Sequence, residues 1–109
     1  MADTPKVLGQ SIPAAATLTT LYTVPGATST VLSTLKVCNQ SAQPTTFRVS
    51  IAVAGAADTP KQYVYFEVPL AGNDSFSATE GWSLAATDVV RVQSANGLVS
   101  FNLFGVEVT

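Results

Sequence analysis

The sequence contains no histidine. That removes the commonest general base and metal ligand, and with it any Ser-His-Asp or Cys-His arrangement within one chain. It holds one cysteine, Cys38, so no disulfide can close within the chain and no thiolate zinc site can be assembled. Charge is scarce: 11% of residues are charged, against about 25% in an average soluble domain. The basic residues Lys6, Lys36, Arg48, Lys61 and Arg91 stand singly, without the clustering that neutralises phosphates, so no nucleic-acid partner is expected. No basic amphipathic stretch and no apolar run of about 18 residues is present, so no membrane partner is expected either. The chain opens without a basic segment leading into an apolar one, so no secretory signal is expected. The glycines Gly26, Gly55, Gly72, Gly81, Gly97 and Gly105 are isolated and form no phosphate-cradling pattern.

What fills the polar positions is Ser, Thr, Gln and Asn. Such a surface still hydrogen-bonds but loses less to desolvation when a partner covers it. At 109 residues with 47% hydrophobic content, one domain with its own core is expected.

Along the chain the period is two. Residues 1–16 are expected to form an extended N-terminal arm, because Pro5 and Pro13 interrupt helix and Ala14–Ala16 is too short to nucleate one. A β-sandwich domain is expected over 17–109. Phe47, Val49, Ile51 and Val53 give the cleanest alternation. Val31, Ser33, Leu35 and Val37 are expected on one face of the preceding strand, with Leu32, Thr34, Lys36 and Cys38 opposite. In Gln62–Val68, Val64, Phe66 and Val68 are expected inward, leaving Tyr63 and Tyr65 outward. Asn96–Gly97 reads as a hairpin turn. In the last strand the inward set is expected to change phase from Val99, Phe101 and Leu103 to Phe104, Val106 and Val108, with a bulge at Gly105. About 7–8 strands without a convincing helix predict an all-β fold, an antiparallel β-sandwich of jelly-roll-like or immunoglobulin-like type.

No catalytic, cofactor or metal residues are expected, and no enzyme. Cys38 reads as a small buried apolar residue rather than a nucleophile. Asp74, Glu80 and Asp88 lie in apparent turns, with neither the density of a calcium loop nor the setting of a glycosidase pair. The candidate interface residues are Ile12, Tyr63, Tyr65 and Trp82. The aromatic ones either anchor a protein contact or stack on carbohydrate, or else the second sheet or the arm covers them.

The segments Leu21–Pro25, Val37–Asn39, Thr46–Val49, Asp88–Val92 and Phe101–Glu107 together resemble small structural proteins of tailed bacteriophages. The likeness runs from about Val7 to the end and is one of strand and turn texture. It implies a virion protein assembled in the host bacterial cytoplasm, a head decoration (cement) protein or a component of the neck, tail or fibre attachment. Partners implied are the chain itself, as a homotrimer or other homo-oligomer, and the major capsid or tail proteins. A carbohydrate-binding module for host attachment is the alternative.

Overall fold

The computed structural model describes residues 2–109. Met1 of the expected arm lies outside them. Among the described residues, nine strands form two antiparallel sheets. They are β1 (Asp3–Ser11), β2 (Thr19–Thr23), β3 (Ser29–Asn39), β4 (Thr45–Ala52), β5 (Tyr63–Leu70), β6 (Ser75–Thr79), β7 (Ser83–Leu84), β8 (Val89–Ser94) and β9 (Val99–Val108). Short 3-10 turns at Val53–Gly55 and Pro60–Gln62 interrupt the β4–β5 loop.

The first sheet has the order β1-β9-β3-β6, with β7 also on β3; the second has β2-β8-β4-β5. The chain changes sheet between β1 and β2, β2 and β3, β3 and β4, β5 and β6, β7 and β8, and β8 and β9. An immunoglobulin sandwich keeps its first two strands in one sheet. The order here is that of a jelly roll. The core lies between the sheets, on Phe47, Val49, Val90 and Val92 from one side and Leu35, Val37, Phe101 and Leu103 from the other.

Several expectations need correction. Asp3–Ser11 is extended, but it is no free arm: it pairs with β9 from Asp3↔Val108 to Ser11↔Phe101. Pro5, with no N–H to give, is tolerated because β1 is an edge strand. Asn96–Gly97 joins strands of different sheets and makes an arch instead of a hairpin. Only Gly97 of the pair has positive φ, and the Asn96 side chain accepts the Leu98 N–H at 2.9 Å.

The last strand does not change phase. Val99, Phe101, Leu103, Gly105 and Glu107 are all buried. The irregularities sit on both neighbours, where Leu8 of β1 and Ser33 of β3 are skipped in the register with β9. The extra residue at Ser33 turns Leu32 inward, although Leu35 and Val37 are inward too. Cys38, opposite to Val37, is consequently exposed; it is not the buried residue expected.

In β5 the register skips Val64 and then both Phe66 and Glu67 against β4. Glu67 takes φ of 53° at the second bulge. Each extra residue inverts the pattern, so Val64 and Phe66 are exposed while Tyr65 packs against the core.

One polar cluster is built into the sandwich. Glu107 faces inward from β9 and accepts a hydrogen bond from the Tyr22 hydroxyl at 2.6 Å. Its other oxygen pairs with the Lys6 ammonium at 2.9 Å, tying β1 down. The Thr30 hydroxyl lies 2.8 Å from that of Tyr22. The hydrogen bond from Tyr22, and then that from Lys6, holds the Glu107 carboxyl below the usual carboxylate range. Burial, then Glu107, pushes Tyr22 up to about 12.

A depressed carboxyl contributes stability above its unfolded value of about 4.3, and that contribution is lost as pH falls through the folded value. A raised phenol contributes stability below an unfolded value of about 10, lost as pH climbs toward the folded one. Urea midpoints measured from pH 2 to 7 should therefore fall in acid, and Glu107→Gln should flatten that fall. An acid slope identical to that of the unaltered chain would show the carboxylate contributes nothing.

Candidate interaction surface

The two sheets differ in what covers their outer faces. On the second sheet, Val90, Val92, Phe47, Val49 and Ile51 point inward, so Val89, Ser50 and Ala52 occupy outward positions. All three are nevertheless buried. The chain's own β4–β5 loop accounts for this: Val89 lies 3.6 Å from where a Cβ on Gly55 would stand. The Arg91 guanidinium donates to the carbonyls of Ala56 and Gly55, at 2.9 and 3.2 Å. Asp88 follows a turn, as expected, and is buried. Its two oxygens accept the N–H groups of Ala54 and Ala85, each at 2.9 Å. Its role is to pin that loop. Glu80 instead accepts from Tyr65, and Asp74 from the N–H of Ser75, so the three carboxylates serve separate turns.

Beyond the loop the second sheet carries an aromatic cluster. Arg48 stands opposite the β5 bulge, its guanidinium 4.3 Å from the Phe66 ring centroid and 5.9 Å from that of Tyr63. Its Nε pairs with Glu67, which also accepts the Thr46 hydroxyl at 2.8 Å. The Thr46 bond first, and the Arg48 bond next, lower the Glu67 carboxyl. Tyr63 and Phe66 meet edge to face at 5.3 Å, and the Tyr63 hydroxyl donates to Asp58 at 3.0 Å.

Of the expected interface residues, Tyr63 lies on this outer face. Tyr65 does not. It packs against Phe76 at 5.2 Å and Trp82 at 5.9 Å, beside the core. Burial and then Glu80 raise its hydroxyl to about 12. Trp82 is half-buried and closes the core next to Tyr65. The space behind it, walled by Leu32, Leu35, Ala78 and Leu103, is about 10 Å³, room for a single water at most. Ile12 is 55% exposed and borders a separate shallow groove with Gln40 and Ser100. The structure thus brings Tyr65 and Trp82 together as packing and leaves Tyr63 and Ile12 on different faces.

The first sheet is bare outside. The register places Pro5 opposite Val106, Val7 opposite Phe104, and Val31 opposite Val106. Since Gly105 and Glu107 point inward, these residues and Val108 point outward. Val7 and Val31 are 49% and 41% exposed, and Phe104, Val106 and Val108 are half-buried. Farther along, the outward positions turn polar, through Asn102, Ser100, Ser77 and Ser75.

No protein-family model matches the sequence, and no curated protein matches it. The geometry therefore stands alone. Neither Phe104, Val106 and Val108 nor Val7 and Val31 were singled out as interface residues from the sequence. The signal for them was present: over Leu103–Val106 β9 is apolar on both alternations, which fits a stretch covered on both faces.

Proposed function

We propose that this chain is a structural virion protein of a tailed phage, a decoration or cement protein that stabilises a capsid through protein–protein contacts. It would act without cofactor or catalysis and reside in the virion, with itself and the major capsid protein as partners. The observation that carries this reading is the open, nearly uncharged outer face of the first sheet, on a molecule whose other outer face is partly covered by its own loop. Jelly rolls recur in capsid and lectin domains alike, so the fold supports the reading only by analogy.

Host attachment through carbohydrate is the lesser reading. Phe66 is 57% exposed, but Arg48 already lies over its ring, and sugar stacking requires an open aromatic face.

Mass spectrometry of virions from the encoding phage, with heads and tails separated, tests the proposal. The chain should be found in heads in many copies, and heads lacking it should rupture at lower temperature. Recovery in tails alone would move the protein to the neck, tail or fibre attachment. Absence from both fractions would overturn a virion role.

A further inference from the structure

We propose that the outer face of the β1-β9-β3-β6 sheet is where a second copy of this chain docks, face to face, around Phe104 and Val106. The inference rests on the assembly reading above and assigns it a surface and a partner.

Three observations converge. The first is composition. Pro5, Val7, Val31, Phe104, Val106 and Val108 form one contiguous apolar area, because the register stacks them in neighbouring rows on adjacent strands. Contiguous apolar area of this kind marks association sites far more than scattered surface residues do.

The second is size. Four strands spaced about 4.8 Å apart and some eight residues long at about 3.4 Å each present roughly 520 Å² per copy. Two such faces in contact bury about 1,000 Å², the size that a specific interface has to reach.

The third is charge. Among the described residues, the charged side chains at outward positions of this sheet are Lys36 and Asp3. Asp3 pairs with Val108, at one end of the apolar area, and Lys36 with Asn102, at the other. A two-fold contact is self-complementary. When the axis runs across the strands between Phe104 and Val106, the Lys36 end of one copy overlies the Asp3 end of the other. Like charges then stay about 20 Å apart along the strands, well beyond the screening length of about 8 Å, so no repulsion opposes the contact.

The edges of the sheets offer a poorer route. Pro5 and the bulge at Leu8 interrupt β1, and two bulges and Pro69 interrupt β5. Such features obstruct pairing by strand addition. The other two edges, β2 and β6, are five residues long, and such short edges give little to pair with; association is left to faces, and the second sheet's face is partly occupied by the β4–β5 loop.

Sedimentation velocity of the full chain from 1 to 200 µM should show a monomer–dimer equilibrium. Phe104→Glu should shift the midpoint at least tenfold toward monomer with an unchanged circular dichroism spectrum. Phe66→Ser, on the opposite outer face, should leave the equilibrium as it was. If Phe104→Glu does not fold, Val106→Cys in a Cys38→Ser background gives the answer: its thiol should react with maleimide freely at 1 µM and at least tenfold more slowly at 200 µM.

A chain that stays monomeric throughout, or that self-associates while the thiol at position 106 remains equally reactive, overturns the inference. Neither result bears on whether the chain is found in virions, and its absence from virions would not alter a dimer seen in solution.

Discussion

Phe47→Ala is expected to remove about 3–5 kcal/mol of folding stability. Phe47 is 1% exposed and sits on β4, yet its ring lies 5.3 Å from Phe76 and 6.1 Å from Phe101, which belong to the first sheet. A third neighbour, Tyr65, is 6.3 Å away on β5. The ring therefore joins the two sheets at mid-core. Truncation forfeits its transfer free energy and leaves a space that two sheets of fixed register cannot easily close. Single domains have about 5–15 kcal/mol in total, so the loss takes a large share. Urea denaturation followed by near-ultraviolet circular dichroism measures it. Phe66→Ala, at a 57% exposed position, should cost about 1 kcal/mol or less. Equal losses at the two sites would mean the core is not centred on Phe47.

The contrast between those phenylalanines is also where sequence reading succeeded and failed. Around Phe47 the alternation is regular, and Phe47, Val49 and Ile51 face the core as their spacing indicates, whereas Val53, the fourth of the series, falls in the 3-10 turn after β4 and is exposed. The strands Ser75–Thr79 and Val89–Ser94 also lie between turn residues, Asn73–Asp74 and Glu80–Gly81 around the first and Thr87–Asp88 and Asn96–Gly97 around the second. Around Phe66 the same rule inverts, because β5 carries residues that β4 does not match. A bulge shows only when two strands are laid side by side, and one strand's period contains no record of its partner's. This explains Tyr65, expected outward and found packed against Trp82. It also explains Leu32 and Cys38, whose faces depend on the extra residue at Ser33. The pairing of β1 was hidden for a related reason. Its residues are exposed or half-buried, so it leaves little hydrophobic pattern, and it is held mainly by backbone pairing to β9 and by Lys6. The candidate surface was legible in part: low charge pointed to protein contact, but the face depended on register.

Gly105→Ala is the second substitution expected to have a large effect, and it tests the bulges directly. Gly105 points inward, where β1 and β3 both crowd against β9. A Cβ there would stand 2.4 Å from the Val31 carbonyl oxygen, 2.9 Å from the Leu8 side chain and 3.2 Å from the Leu32 Cα. The nearest obstacle is backbone, so rotating a side chain does not relieve it. Val31 and Leu32 cannot easily move away, since Leu32 donates its N–H to the Trp82 carbonyl at 2.7 Å and Val31 pairs with both Val106 and Ser83. The glycine is needed for close approach: its φ is not in the left-handed region. Overpacking usually costs about 1–3 kcal/mol, and a contact with fixed backbone belongs at the upper end. Gly26→Ala is the control, because nothing lies within 4 Å of a Cβ at that turn, and it should change stability by about 0.5 kcal/mol or less. Denaturant midpoints that fall for Gly105→Ala and hold for Gly26→Ala would locate the tight point of the fold at the paired bulges of β1 and β3. Similar midpoints for both variants would mean the sheet can widen there, and the register around Ser33 and Leu8 would not be the rigid frame on which the outer face depends.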